Sequence, residues 1–165
     1  MLRAAIFWNQ HGNWCFFAHK PNSFDLHSAK LYGVELDDLT GRIAKQLYQK
    51  AKIQVTGFEK ANLPDSFFDC AIGNVPFGDF SVSDRAYDKL HFRIHDYFLA
   101  KTIDKIRNGG IIAFITTSGT LDKKSEEVRR YIAARCDLLV RSGSPIPHSN
   151  KMLVRSRRRY SLSPK

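Results

Sequence analysis

Between residues 30 and 139 the hydrophobic positions switch repeatedly between a short-run pattern and a helical period. Leu31-Tyr32-Gly33-Val34-Glu35 reads as a short strand, and Asp38 caps a helix in which Leu39, Ile43 and Leu47 recur every four residues. A second short run, Ile53-Gln54-Val55, follows. Phe68 to Gly73 predicts a buried strand that ends in a turn at Asn74-Val75-Pro76-Phe77-Gly78. Phe98, Leu99, Ile103 and Ile106 have helical spacing, stopped by Asn108-Gly109-Gly110. Ile111 to Thr117 is the clearest strand, and Val128, Ile132 and Ala133 mark a last helix ending near Arg135. This succession predicts an open parallel α/β sheet with helices on its faces, whose ligands bind beyond the carboxyl ends of the strands.

With 165 residues, 43% hydrophobic and 25% charged, the chain has the size and composition of one globular domain. No apolar run approaches the roughly 18 residues of a membrane span, and Ala4 to Trp8 is followed at once by polar residues, so a cytoplasmic protein without a membrane partner is expected. Cys15, Cys70 and Cys136 are widely separated and form no C-x-x-C, so neither a disulfide framework nor a metal site is indicated. Charge changes the picture at one place. Seven of the 26 Lys and Arg lie after Val140, and no acid follows Asp137, so most of the net charge of +10 sits in the last 25 residues. That segment is rich in Ser, Pro and Arg, shows no hydrophobic period, and is expected to be disordered.

Two residues at predicted strand ends are chemically suggestive. Glu35 closes the first strand, where a carboxylate offers two acceptor oxygens to a ribose; a solvated acid at a strand–helix junction is the alternative. In Asn74-Val75-Pro76-Phe77 the asparagine oxygen and a backbone carbonyl can both accept from an exocyclic amino group while the aromatic stacks on its ring. An ordinary Asx turn is the alternative there. His91 and His95 are read as structural or surface residues, and no general base is evident.

The run from Ser66 to Gly78 resembles the F-D-x-x-x-x-N-P-P-F motif of the N6-adenine DNA methyltransferases, with Val75 in place of the commoner first proline. The resemblance extends over residues 30–139 and is similar to the methylase module of large helicase–methylase proteins from bacterial mobile elements. It implies a Rossmann-like class I S-adenosylmethionine-dependent methyltransferase fold, with S-adenosylmethionine as cofactor, DNA as substrate and helicase regions of a larger parent protein as partners. By the same resemblance, Glu35 in L-Y-G-V-E-L-D binds the cofactor ribose, Phe58 and Glu59 in Gly57-Phe58-Glu59 contact its adenine, and Asn74 lies beside it. Asn74 and the carbonyl of Pro76 would orient the target amino group, and Phe77 would stack on the flipped base.

The chain departs from this family at both ends. Before Lys30 it offers Gly12 alone where the family has a first strand and a glycine-rich turn. After Leu139 the tail replaces a segment like L-G-A-I-R-L-P-N, which a reading frame shifted back by one base can restore. The expected organisation is therefore a degenerate remnant of the first strand and turn (1–29), a methyltransferase core (30–139) and a basic disordered tail produced by a frameshift (140–165). An adenine-specific DNA methyltransferase fragment, weak or inactive in isolation, is the implied function. A basic protein that binds nucleic acid nonspecifically, without catalysis, is the competing one.

Overall fold

The computed structural model describes residues 3–7, 29–76, 78–117, 126–143 and 149–157. Seven strands, β1 (Arg3–Phe7), β2 (Lys30–Glu35), β3 (Lys52–Val55), β4 (Phe68–Asn74), β5 (Ile106–Thr117), β6 (Cys136–Gly143) and β7 (Ser149–Ser156), form one sheet. Helices α1 (Asp38–Leu47), α2 (Ile94–Lys105) and α3 (Glu126–Ala133) lie between them in sequence. The strand order is β3-β2-β1-β4-β5-β7-β6. All neighbours pair in parallel except β7, which runs antiparallel to both β5 and β6. The chain first steps from β1 through β2 to β3, then returns to the other side of β1 for β4, so the order reverses between β1 and β4. That reversal opens a crevice at the carboxyl ends of the strands.

Both ends of the chain depart from the sequence-based expectation. The first strand, expected to be lost, is present as β1 at the sheet centre, and its Ile6 pairs with Gly33 on one side and Ile72 on the other. The last segment is not disordered over 140–143 and 149–157, because β6 and β7 extend through it. Met152, Val154 and Ser156 alternate inward at 3%, 0% and 5% exposure while Lys151, Arg155 and Arg157 point to solvent. Five residues of that period are enough for a strand once β5 on one side and β6 on the other supply the backbone partners. The pairing of β6 with β7 slips between Leu138 and Val140, leaving Leu139 without a register partner.

Local chemistry sets the helix limits. Asp37, one residue before the predicted cap, accepts from the Thr40 N–H at 2.7 Å and starts α1. The Leu39, Ile43 and Leu47 stripe is 65%, 46% and 63% exposed, and Gly41 and Ala44 face the sheet instead. A Cβ on Gly41 would stand 2.6 Å from Val55 Cγ2, so only glycine permits this close helix–strand approach. Helix α2 ends at Lys105, earlier than expected; Asn108-Gly109-Gly110 belongs to an irregular start of β5, where Gly109 takes φ +76° opposite a shift in β4 pairing.

Right-handed crossovers put α1 on one face of the sheet and α2 and α3 on the other. The α2 face is dry: Ala71, Ile112, Phe114, Met152 and Val154 are all buried and join Leu99, Ile103 and Phe68 in the core. On the opposite face of the same strands Cys70, Ile72, Ala113, Ile115 and Leu153 are only half-buried, and Ile111 is 36% exposed. No helix among the described residues is long and apolar enough to cross a membrane.

Candidate functional site

Strand register places the two suggestive residues together. Gly33 and Ile72 both pair with Ile6 of β1, so Glu35 and Asn74, each two residues further on, stand at one level and on one face, at the ends of the strands flanking β1. Two strand spacings separate their backbones by about 10 Å. The same transverse row continues from Asn74 through Ile115 of β5 to Lys151 of β7.

Glu35 is 1% exposed, which excludes the solvated-acid alternative. Its Oε1 accepts from the Asp37 N–H at 3.0 Å, and its carbonyl accepts from Thr56 N–H at 2.8 Å. Oε2 is buried with no hydrogen-bond partner among the described residues. Burial raises the pKa of this carboxyl, against the lowering effect of the Asp37 and Leu36 amides. A buried acceptor left unsatisfied costs roughly 1–3 kcal/mol, so its retention asks for a reason.

Asn74 Oδ1 is likewise buried without a partner among the described residues. An Asx turn would use that oxygen to accept from the backbone, so it is not the device here. The turn is held from behind: Val75 is 1% exposed, and its N–H donates to the Ile115 carbonyl at 3.2 Å. Pro76 is half-buried, and Phe77 lies outside the described residues.

The turn after β3 is adjacent, since Thr56 bonds Glu35. Its Phe58 ring is 4% exposed and packs on Phe98 at 4.7 Å and Tyr97 at 6.0 Å between centroids, so this side chain serves the core. The Glu59 carboxylate folds over Gly57, where a Cβ would collide with Oε1. Of this turn, Gly57 and Glu59 are half-buried rather than enclosed in the core.

Sequence reasoning missed a buried charge beside this turn. Lys101 of α2, 5% exposed, donates to the Phe58 and Glu59 carbonyls at 2.8 and 3.1 Å, to Asp84 Oδ2 at 2.8 Å and to the Tyr97 hydroxyl at 3.1 Å. Tyr97 in turn donates to Asp84 Oδ2 at 2.7 Å. Burial works to raise the Asp84 pKa, but Lys101 and Tyr97 outweigh it and hold the carboxyl below its ordinary value. The available signal was a lysine inside the apolar run Phe98-Leu99-Ala100-Lys101-Thr102-Ile103, which a surface helix would not bury. His95 is 5% exposed with Nε2 at 3.5 Å from Asp96, as a structural residue would be, and His91 is exposed. Among the described residues no three His, Cys, Asp or Glu converge on a metal position.

No family model matches the chain. The type I restriction-modification methyltransferase subunit of Streptococcus thermophilus superimposes with a TM-score of 0.74 at 14% identity, over 95% of this chain and 40% of that one. A Listeria monocytogenes protein assigned to the class I S-adenosylmethionine-dependent methyltransferases gives 0.66 at 15% identity, over 100% of this chain and 57% of its own. The chain has the class I S-adenosylmethionine-dependent methyltransferase fold. Among curated proteins, the defense against restriction protein B of Escherichia phage P1 is 34% identical over 86 residues. Those residues are 49% of this chain but 4% of the phage protein, so the chain spans a small part of that relative.

Proposed function

We propose that this chain is a DNA adenine-N6 methyltransferase module that uses S-adenosylmethionine, with weak or no turnover in isolation. The observation carrying this reading is the pair of buried oxygens, Glu35 Oε2 and Asn74 Oδ1, left without partners among the described residues, on one face at the carboxyl edge of the sheet. A ribose is the group that fits the first, because its hydroxyls donate to a carboxylate that already has one oxygen committed to a backbone amide. S-adenosylmethionine would supply an electrophilic methyl group. Asn74 Oδ1 and the Pro76 carbonyl would accept from the adenine amino group and turn its lone pair toward that methyl, with Phe77 stacking on the flipped base.

DNA as the substrate is supported by Asn74-Val75-Pro76-Phe77 and by the names of two similar proteins, one a restriction-modification methyltransferase subunit and the other a defense against restriction protein. Exposed Lys151, in the row of Asn74, and Arg155, four residues along the same strand and on the same face, offer phosphate contacts. The small share of the phage protein that is matched supports a place inside a larger parent; helicase regions in that parent are proposed from the sequence resemblance alone. The shifted reading frame stays part of the reading, with its junction at Leu139, the residue that β6–β7 pairing skips. Codons after Leu139 that cannot encode R-L-P-N in any frame would end that part.

Calorimetric titration with S-adenosylmethionine tests the cofactor. Weak, saturable binding that disappears in Glu35→Ala is expected, and no binding at millimolar ligand overturns the reading. The competing nonspecific nucleic-acid binder draws support from the exposed cations of β7 and predicts DNA affinity indifferent to the cofactor and to sequence.

A further inference from the structure

Lys101 is a buried cation with a full set of acceptors. Its three ammonium hydrogens meet four acceptors drawn from three parts of the chain: the turn after β3 (Phe58 and Glu59 carbonyls), the loop after the Asn74 turn (Asp84) and its own helix (Tyr97). The ammonium also lies 5.0 Å from the Phe58 ring centroid and 5.6 Å from that of Tyr97. The stem is enclosed, with the Lys101 side chain 6% exposed and that of Asp84 13%. Burying an ion pair in this way gives little net stability, and an apolar residue of the same length would serve packing as well or better. What an apolar residue cannot do is hold two successive carbonyls of an irregular turn in a fixed direction.

That turn begins at the residue after Thr56, whose N–H bonds the Glu35 carbonyl, and the Asp84 loop begins a few residues after Asn74. The loop is itself anchored to α2, with Tyr87 donating to Asp104 at 2.7 Å and Ile94 N–H donating to the Phe80 carbonyl at 2.9 Å. We infer that Lys101 is a positioning residue for the cofactor cleft: it ties the turn that follows Glu35's neighbour strand to the loop that follows Asn74, so both walls keep one spacing. This rests on the reading of the cleft as an S-adenosylmethionine site. Lys101 touches neither Glu35 nor Asn74, and its effect on a ligand would pass through the backbone of Gly57, Phe58 and Glu59.

The test uses the whole chain and S-adenosylhomocysteine, a stable product-shaped probe, in calorimetry to millimolar concentration. It is paired with hydrogen exchange of peptides covering 57–61 and 82–88. Lys101→Met keeps the stem and removes the donors. It should raise exchange in both peptides together by at least tenfold and weaken the probe about tenfold. Asp84→Asn should reproduce both effects in milder form, and it covers the case of a Lys101→Met chain that fails to fold. Ile103→Ala, a buried neighbour on α2 outside both walls, serves as the matched loss of stability and should leave probe affinity and the two peptides near wild type below its melting range. Probe affinity unchanged in Lys101→Met and Asp84→Asn, or exchange raised in one wall alone, overturns the assignment. A wild-type chain that binds no S-adenosylhomocysteine overturns the reading of the cleft itself, and the assignment with it.

Discussion

Glu35 and Asn74 end the two strands that flank β1, at one level of the sheet and on one face, and each keeps a buried oxygen with no partner among the described residues. A buried oxygen left so carries a desolvation cost, and under the proposed function a bound ligand would offset it.

That cost gives a pH-dependent prediction for Glu35. Burial raises its pKa in the folded chain, so the folded state holds the proton more tightly than the unfolded one, and stability falls as pH rises from the ordinary carboxyl value through the raised one. Glu35→Gln removes the charge that has to be buried. Thermal unfolding should show the variant more stable than wild type at pH 8, by roughly 1–2 kcal/mol, with the gap closing near pH 4. A variant less stable than wild type at pH 8 would mean that the carboxylate is satisfied in the folded chain.

Asp69 has the opposite sign. Burial would raise its pKa, but hydrogen bonds from Arg107 and from the Arg3 amide and guanidinium hold it down to about 2. Its contribution is therefore present above the ordinary carboxyl value and is lost as pH falls toward 2. Because Arg107 is 46% exposed, solvent screens part of the pair, and Asp69→Asn should cost about 1 kcal/mol at pH 7 and almost nothing at pH 2. Arg3 opens β1, so acid unfolding followed by hydrogen exchange should show β1 loosening from β4 in this variant first.

The strength of β7 is a third prediction, and it bears on what the sequence made legible. The elements between Leu31 and Ala133 could be read because each strand or helix carries its own local period and its own stop. β7 could not, since Lys151-Met152-Leu153-Val154-Arg155-Ser156 has an inward-facing serine and takes its meaning from pairing with β5 across the gap from Thr117. β1 was missed for a related reason: five residues at the front of the chain show no period, and only their partners on both sides make them central. Glu35 and Asn74 were legible as residue types at strand ends, whereas the Lys101 and Asp84 pair, seventeen residues apart, needed the fold to bring it together. If β7 is structural as described, Met152→Ala should cost about 2–5 kcal/mol, and a chain ending at Leu139 should lose its cooperative transition. Unchanged melting in either would restore the disordered tail.

Nucleic-acid affinity should follow the outward side of the same strand. Lys151 and Arg155 point to solvent beside the half-buried sheet face. Replacing both by Gln should lower duplex affinity at low salt and reduce the slope of log affinity against log salt by roughly 2. A slope unchanged within error would place the phosphate contacts elsewhere.

Catalysis by Asn74 is the most demanding consequence of the proposed function. Its Oδ1 has no partner among the described residues, and its backbone is fixed by pairing with Ile115, so under the proposed function the acceptor would be placed before any substrate arrives. In a chain completed with the glycine-rich turn and the shifted-frame segment, methyl incorporation into adenine-containing DNA should become measurable. Asn74→Ala would then delete the acceptor that directs the amino lone pair and should lower turnover by at least a hundredfold, about 2.7 kcal/mol, with cofactor affinity changed far less. Asn74→Asp keeps the acceptor and should retain part of the rate. Val75→Pro, at a buried position whose N–H donates to Ile115, exchanges one hydrogen bond for a stiffer turn and should be tolerated with a small loss of stability. Phe77→Ala should mainly weaken base capture, by about 1–3 kcal/mol for one stacking contact, seen as a raised KM for DNA. An Asn74→Ala protein with unchanged turnover would remove the amino-orienting role and leave the orphan oxygen unexplained.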